Sequence, residues 1–367
     1  MTSTTPLHDA WLAALLGSEL PRETRSTCDD CAMCGPPGQP VRDGAFDRQV
    51  KCCSYQPDIP NYLVGGVLQD VDARQADMRA AIARGIGVTP MGLAQPPAYA
   101  AVYREAAPAF GRAHALRCAW YVDEGSGQCG IWRHRPTVCA TYFCKFERGA
   151  VSQAFWQAAK ALLLELEHEV SLWCATQLDA AAALPGHRGG ARGPIIATDL
   201  DGGLDARAHA ALWGAWAGRE AEYFVRCAEL AATLAIDDVV TLAGPRLRML
   251  ATRLQSAHAA LGTRQLPERL TMGNISLQPE APGRVRVASY LATDPLVMPV
   301  TLATALLAFH GQPVSEANET LAQTQGVTLG AGLLQRLADF RVLVDAPAAG
   351  EGEDKRADGK VPGDTPG

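Results

Sequence analysis

The chain has 367 residues, of which 48% are hydrophobic and 20% charged, and this length suits two or three globular domains without help from a metal. Its formal net charge of −6 argues against a protein dedicated to nucleic acids, so we expect no nucleic-acid partner. No stretch reaches the roughly 18 consecutive apolar residues of a membrane span. The N-terminus lacks the positive charge and the cleavage site of a secretory signal. We therefore expect a cytoplasmic protein that does not contact a membrane.

The first predicted element is an amphipathic helix over residues 6–20, within an N-terminal leader of residues 1–27. Its apolar side chains recur on one side at helical spacing, which is typical of a helix that packs on a neighbouring domain. We expect this helix to pack on the region that follows.

Residues 28–150 form the next predicted region, in which loops rich in Gly, Pro, Asp and Cys alternate with helices over 66–84 and 98–107. Nine of the eleven cysteines lie here: Cys-x2-Cys-x2-Cys, then an adjacent pair, then four cysteines with 10, 9 and 4 residues between them. Neither a helix nor a strand has a period that produces this spacing, so these cysteines do not mark a hydrophobic core. They are Cys28, Cys31, Cys34, Cys52, Cys53, Cys118, Cys129, Cys139 and Cys144.

A helical domain is predicted for residues 151–262. Over 151–178 the apolar residues follow the i, i+3, i+4, i+7 pattern closely, which makes this the clearest helix of the chain. A linker rich in Gly and Pro, residues 184–204, separates it from helices over about 205–235 and 237–261.

Two details of these helices can be predicted. The last helix should break or restart at Gly244-Pro245, because proline fits best in the first turn of a helix. Cys174 and Cys227 lie on predicted helices and have no cysteine or histidine at metal-ligand spacing, so we expect both to be small core residues.

Residues 268–345 are predicted to form a small α+β domain, and residues 346–367, which are almost free of apolar side chains, a disordered tail. The order of strand, three short helices and strand is winged-helix-like. It resembles the small peptide-binding domains of the PqqD type, which implies a peptide partner for this domain. The predicted elements are a strand over 285–291, helices over 299–309, 315–326 and 328–340, and a strand over 341–344.

The fold class that follows is mainly α, with an irregular cysteine-rich metal-binding region and a small α+β winged-helix-like C-terminal domain. In a reducing compartment a dense set of cysteines is more typical of metal binding than of a disulfide framework. Thiolate-only sites suit zinc or iron–sulfur clusters. Eight of the nine cysteines could supply two sites of four ligands, or fewer could surround one cluster.

The spacing of the first three cysteines favours iron–sulfur chemistry. Cys28-x2-Cys31-x2-Cys34 resembles the first three ligands of a bacterial ferredoxin run, whose fourth ligand lies elsewhere, so a [4Fe–4S] cluster is our first expectation. Zinc stays the alternative, because a single Cys-x2-Cys knuckle is also a common zinc element. His114 and His134 lie among the cysteines and are alternative fourth ligands.

Arg117, Arg133 and Arg135 are the candidate cofactor-binding residues outside the cysteines. Positive charge near thiolates lowers their pKa and offsets the negative charge of a thiolate–metal centre. The alternative is a basic surface that is simply solvated.

The segment from Cys129 to Cys144 resembles the end of the YkgJ-type cysteine-cluster family, which is described as a zinc- or iron-chelating domain. The likeness rests on Cys129-Gly-Ile-Trp, on Arg135-Pro136, and on the last two cysteines with their aromatic neighbours. The earlier cysteines and Cys118 match the family more loosely, and the resemblance covers about residues 28–146. Ala140 departs from the family, which commonly has arginine there. The resemblance implies bound iron or zinc, commonly as an iron–sulfur centre.

The leading functional hypothesis is an iron–sulfur protein that acts in electron transfer or as an accessory to a modification pathway, with a redox or protein partner that the sequence does not identify. A first alternative is a peptide- or protein-binding module that zinc stabilises. A second is an enzyme that modifies protein side chains, since flagellin lysine methylases are similar in carrying such a cluster. Whether the chain is an enzyme stays open, because the sequence contains no recognisable catalytic triad, carboxylate pair or Gly-rich nucleotide loop.

Overall fold

The computed structural model describes residues 4–35, 44–125, 127–180 and 205–346, and about 53% of these residues are helical. The strands of the described residues form small antiparallel sheets. The predicted composition of mainly α with some β is therefore confirmed. The predicted linker, residues 184–204, lies outside the described residues, and so does the predicted tail apart from Ala346. Within the described ranges, no helix has both the length and the apolar character needed to cross a bilayer.

The chain divides into two compact units. The first unit comprises Met1–Glu147 and Val151–Gly262, and the second comprises Arg148–Ala150 and Thr263–Gly367. The predicted leader, cysteine-rich region and helical domain thus lie almost wholly within the first unit.

The first unit has a helical core with short strands beside it. Strands β1, β3 and β2 form one sheet in that order, and β4 pairs with β5. The helices are α1 (Pro6–Leu16), α2 (Asn61–Gln69), α3 (Gln75–Arg84), α4 (Pro97–Glu105), α5 (Thr137–Ala140), α6 (Gly149–Gln177), α7 (Ala206–Trp213), α8 (Glu220–Ala231) and α9 (Ile236–Gly262). The strands are β1 (Ile59–Pro60), β2 (Val88–Thr89), β3 (Gly92–Leu93), β4 (Tyr121–Val122) and β5 (Gln128–Cys129).

Helix α1 ends earlier than the pattern of apolar residues suggested. The Thr5 side chain accepts a hydrogen bond from the backbone N–H of His8 and caps the start of the helix. Gly17 adopts a left-handed conformation with φ of 66° and ends the helix after Leu16, as is usual for a glycine C-cap. The expected packing is present, because the His8 ring is hydrogen-bonded to the Tyr62 hydroxyl at 2.7 Å. Trp11 is also buried, and its indole N–H donates to the Leu234 carbonyl in the helical domain.

Helices α2 and α8 pack closely in the centre of this unit. A Cβ atom at Gly65 would meet the carbonyl oxygen of Phe224 at 1.9 Å, so the approach of the two helices depends on this glycine. Tyr62 on α2 and Tyr223 on α8 are fully or almost fully buried here.

The two predicted details of the helical region are confirmed. Gly244 interrupts α9 with φ of 69° and ψ of −151°, directly before Pro245. Cys174 and Cys227 are both 0% exposed, and the Cys174 thiol lies 3.5 Å from the Cys227 carbonyl oxygen.

The second unit contains the remaining strands and helices around its own core, which includes Leu270, Phe309 and Leu343. The three predicted helices and the closing strand are present with slightly shifted ends. Four further strands were not predicted, namely β6, β7, β9 and β10; the sheets have the orders β10-β6-β11 and β7-β8-β9. The elements are β6 (Arg269–Met272), β7 (Ser276–Ala281), β8 (Arg284–Ala288), β9 (Leu296–Pro299), α10 (Val300–Ala305), β10 (His310–Pro313), α11 (Val314–Gln325), α12 (Ala331–Asp339) and β11 (Leu343–Asp345).

Candidate metal centre

The first cysteines lie on a loop whose backbone is held by short-range hydrogen bonds. The Cys34 N–H donates to the Cys31 carbonyl at 2.9 Å, which turns the chain between these two thiols. Cys34 also forms an isolated parallel bridge with Phe46.

The adjacent pair Cys52 and Cys53 lies on a single 3₁₀ turn, Lys51–Ser54. The Cys118 N–H donates to the Cys53 carbonyl at 2.6 Å. This bond places a cysteine from the second half of the region directly beside the pair.

Cys129 is held by the hairpin of β4 and β5, in which it pairs with Tyr121. Gly127, directly before the return strand, has φ of 77°, and a Cβ atom there would meet the Tyr121 hydroxyl oxygen at 1.9 Å, so this position requires glycine. Cys139 lies on the short helix α5, which begins directly after Pro136.

These segments surround one cavity of about 820 Å³, which we call the thiol cavity. Its wall also contains the aromatic side chains of Trp132, Tyr142 and Phe143 and the basic side chains of Lys51 and Arg135. Six thiol-bearing residues line it: Cys28, Cys31, Cys52, Cys129, Cys139 and Cys144.

The other three predicted ligands adjoin the cavity through a neighbouring thiol. The Cys31 thiol contributes to a raised pKa of Cys34, and the Cys53 thiol to that of Cys52, so the members of each pair lie close together. The Cys129 thiol contributes to a raised pKa of Cys118, so these two residues are also near one another. The structure therefore brings all nine predicted thiols into one neighbourhood.

As placed, the thiols do not form a ready-made site for a single ion. Among the described residues, no three or more side chains of His, Cys, Asp or Glu are grouped closely enough to hold one metal ion. A tetrahedral zinc ion has Zn–S bonds of about 2.3 Å and so draws its sulfurs to within about 4 Å of one another. The thiols instead stand around the cavity.

Burial favours the neutral form of three cavity thiols, those of Cys28, Cys129 and Cys139. Burial is the main cause of a pKa of about 11 for Cys28 and for Cys129, and nearby thiols contribute to this rise. For Cys139 burial is again the main cause of a pKa well above the ordinary value, and the thiol of Cys129 adds to it. A bound cation is the usual means of forming thiolates at neutral pH in such surroundings, because it stabilises the charged form directly.

Arg135 lies among the thiols as expected. It is 9% exposed, its guanidinium carbon lies 3.4 Å from the centre of the Trp132 ring, and its Nε donates to the Trp132 carbonyl at 3.1 Å. Its positive charge lowers the pKa of four cavity thiols, but the effect of burial is larger. These four are Cys28, Cys52, Cys129 and Cys139.

The other two predicted arginines are paired with carboxylates. Arg133 lines the cavity, is largely exposed and lies 3.8 Å from Asp70. Arg117 is not among the cavity-lining residues; it makes a two-pronged ion pair with Asp123, with both distances 2.8 Å.

Neither of the two histidines lines the thiol cavity. The Nε2 atom of His114 is hydrogen-bonded to Asp47 at 2.9 Å, and that of His134 to Asp70 at 2.8 Å. Both rings are thus engaged with carboxylates. Besides the six thiols, the wall of the cavity contains the carboxylates of Glu23, Asp29, Asp70, Asp72 and Glu124.

Two residues that sequence reasoning missed contact the cysteine segments. Lys51 is buried in the cavity wall, and no pattern in the sequence distinguishes it from other lysines. The Ser26 hydroxyl lies 3.2 Å from the Cys144 sulfur and accepts a hydrogen bond from the Cys144 N–H at 3.2 Å. A serine two residues before the first cysteine was too weak a signal to interpret.

Comparison of this chain with protein-family models, with curated proteins and with solved structures found no match.

Proposed function

We propose that this chain is a cysteine-cluster protein that holds an iron–sulfur centre in the thiol cavity and acts in electron transfer or as an accessory to a modification pathway. The observation that carries the proposal is the convergence of six thiols from separate segments on one cavity. All eleven cysteines are free, which favours metal ligation over a disulfide framework. Free cysteines also favour a reducing, cytoplasmic compartment.

The donor set fits such a centre in chemistry and in number. An iron–sulfur cluster commonly takes four cysteine thiolates, and a cluster of several irons accepts sulfurs that stand farther apart than those around a single ion. We propose as ligands four cavity thiols that come from four separate segments of the chain: Cys28, Cys52, Cys129 and Cys139.

The surrounding residues suit an electron-transfer role. A bound cluster supplies one-electron chemistry, and its potential depends on net charge, hydrogen bonds to sulfur and exposure to solvent. Arg135 and Lys51 place positive charge in the wall of the cavity, where it offsets the charge of thiolates. Trp132, Tyr142 and Phe143 form an aromatic part of the same wall and limit access of water.

The family resemblance and the identity of the second unit belong to the same proposal. The YkgJ-type likeness covers the cysteines that line the thiol cavity, so the two arguments concern the same cysteines.

The second unit, with three short helices and two three-stranded sheets, is proposed as a winged-helix-like module that binds a peptide of the partner.

The test is purification without oxygen, followed by a visible spectrum and analysis of iron, zinc and acid-labile sulfide. We expect a brown protein with broad absorption near about 400 nm and sulfide that matches its iron. Cys139→Ser should lose most of this absorption, because it replaces a proposed ligand. Cys174→Ala should retain it, because that thiol is buried between helices α6 and α8 away from the cavity.

A colourless protein with stoichiometric zinc and no sulfide would overturn the iron–sulfur proposal. Equal absorption in the Cys139→Ser and Cys174→Ala variants would overturn the assignment to the thiol cavity.

A further inference from the structure

A second cavity of about 370 Å³ lies in the first unit and is lined by residues of α3, β1, β3 and α4. Its volume falls within the range of about 300–1,000 Å³ that is usual for small-molecule sites. None of the described residues that line it is a cysteine, and Arg74 is the one that it shares with the thiol cavity. It is therefore a separate pocket, which we call the arginine pocket after Arg74 and Arg84 in its wall.

One face of helix α3 forms part of this wall. Asp77, Ala80, Ala81 and Arg84 recur at positions i, i+3, i+4 and i+7, so they lie on the same side of the helix. The two alanines leave room beside the charged groups. Most of the remaining wall is apolar and includes Pro57, Ile59, Ile86, Leu93 and Pro96. The pocket thus combines an apolar surface with a few charged groups, as small-molecule sites usually do.

The charged side chains of the wall leave one positive charge over. Arg74 forms an ion pair with Asp77, whereas the described residues place no carboxylate within ion-pair distance of Arg84. A single guanidinium group without a partner suits a ligand with one negative charge. Its planar fork of N–H groups matches the two oxygens of a carboxylate.

The start of helix α4 adds a second source of positive potential. This helix begins at Pro97, and no side chain caps it, because its N-cap residue is Pro96. The Ala98 N–H is one of the donors that the first turn of a helix leaves without an intrahelical partner, and Ala98 lines the pocket. Such a helix N-terminus favours a bound anion.

The indole N–H of Trp120 gives an independent indication of a ligand. Trp120 lines the pocket and is 4% exposed, yet nothing among the described residues accepts a hydrogen bond from its Nε1 atom. A buried tryptophan N–H usually has a partner, because leaving it without one is costly. An acceptor oxygen of a bound molecule would supply that partner.

We propose that the arginine pocket binds a small organic acid with one carboxylate and an apolar body. The carboxylate accepts hydrogen bonds from the guanidinium group of Arg84 and from the indole N–H of Trp120, and the N-terminus of α4 supports its charge. The apolar body lies against Ile59 and Leu93. This inference goes beyond the proposed function and does not depend on a metal in the thiol cavity.

The experiment is a calorimetric titration of the full-length protein, purified without oxygen, with benzoate and with hexanoate. These acids carry one carboxylate on apolar bodies of different shape. Benzamide has nearly the shape of benzoate but no charge, so we expect it to bind about tenfold more weakly, because it cannot form a charge-assisted bond with Arg84. Phenyl phosphate tests a phosphate headgroup in the same pocket, and we expect it to bind more weakly than benzoate.

Two variants test the proposed contacts. Arg84→Gln removes the charge from an exposed side chain, and Trp120→Phe removes the indole N–H but keeps an aromatic ring. We expect each to weaken benzoate binding about tenfold. Arg79→Gln on the same helix is the matched control, because Arg79 is exposed and does not line the pocket, and it should bind like the wild type. Nuclear magnetic resonance of the wild type adds a direct readout, in which benzoate should move the indole N–H signal of Trp120 downfield.

The outcomes separate the parts of this inference. If neither acid binds the wild type saturably, the pocket is not an acid site. Equal affinity for benzoate and benzamide, or equal affinity of Arg84→Gln and Arg79→Gln for benzoate, would overturn recognition of the charge. Phenyl phosphate that binds more tightly than benzoate would overturn the choice of a carboxylate. An unmoved Trp120 signal at saturating benzoate would overturn the role of its N–H, even if Trp120→Phe fails to fold.

Discussion

Glu167 is a buried carboxyl group on helix α6 that supports the start of the helix carrying Cys139. Its Oε1 accepts a hydrogen bond from the Thr137 backbone N–H at 2.7 Å, at the first residue of α5. Burial raises the pKa of Glu167 to about 7, and the bond from Thr137 only partly opposes this shift. The carboxyl group therefore binds a proton in the folded chain at pH values where the unfolded chain has lost it.

Because the pKa of Glu167 is higher in the folded chain, the free energy of unfolding falls as the pH rises from about 4.5 to about 7. Above that range Glu167 is ionised in both states, and this loss of stability stays constant. Glu167→Gln keeps an oxygen acceptor for Thr137 and removes the titration. Relative to the wild type, we expect the variant to gain about 2 kcal/mol between pH 5 and pH 7.5. Urea unfolding at the two pH values measures the difference, and an equal difference at both would contradict this account.

At the scale of elements, the close contact of α2 with α8 depends on Gly65, because glycine has no side chain. Gly65 allows the backbone of Phe224 to approach to a distance that a Cβ atom would violate. The neighbouring atoms are mostly backbone and have little room to move.

We expect Gly65→Ala to lower the free energy of unfolding of the first unit by about 1–3 kcal/mol, because an added methyl group overpacks this contact. Urea unfolding followed by tryptophan fluorescence measures the loss. Gly262→Ala at the end of α9 is the matched control, since nothing lies within 4 Å of its added Cβ atom and its φ is not left-handed. Equal stability of the two variants would show that the helices can separate at no cost.

The elements also show which parts of the fold a sequence can reveal. Helix α6 was predicted within two residues of its observed ends, because one apolar stripe over many turns leaves little ambiguity. Strand β7 was missed because its residues are mostly exposed and include Pro279, so no alternation of apolar and polar residues marks it. Strand β6, with four residues, is too short to show a period.

The candidate site was predictable to a similar degree. Cysteines are rare and their spacing is distinctive, so the nine thiols were found without a structure. Arg135 was found because it stands in the same motif, whereas Arg117 belongs to a separate ion pair with Asp123. The sequence could not reveal that Lys51 lies in the cavity wall, because this position depends on contacts with the carbonyl groups of Cys28 and Gly127, which are distant in the sequence.

At the scale of the whole molecule, the two units can be followed separately by spectroscopy. All seven tryptophans, from Trp11 to Trp216, lie in the first unit. Tryptophan fluorescence therefore reports the unit that contains the thiol cavity, while circular dichroism reports the helices of both.

Under the proposed function, we expect a chelator that removes the proposed metal under reducing conditions to lower the unfolding temperature seen by tryptophan fluorescence by on the order of 5–10 °C. This magnitude corresponds to about 2.7 kcal/mol of linkage at a ligand concentration of 100 Kd. The second unit contains none of the nine thiols, so its unfolding temperature should stay unchanged. Circular dichroism shows this as the part of the helix loss that tryptophan fluorescence does not report. A fluorescence midpoint that does not respond to the chelator would contradict a structural contribution of the metal.

The interleaving of the cysteine segments also has a consequence for biosynthesis. The thiol cavity needs residues from Cys28 to Cys144, so a nascent chain cannot complete it until the last of these has left the ribosome. Chains elongate at about 5–20 residues per second, and the earliest thiols are therefore exposed for several seconds before their partners exist. Under the proposed function, the metal has to be supplied to a chain whose synthesis has passed this point. Oxidants and competing ions then meet the first loop before the proposed centre can form.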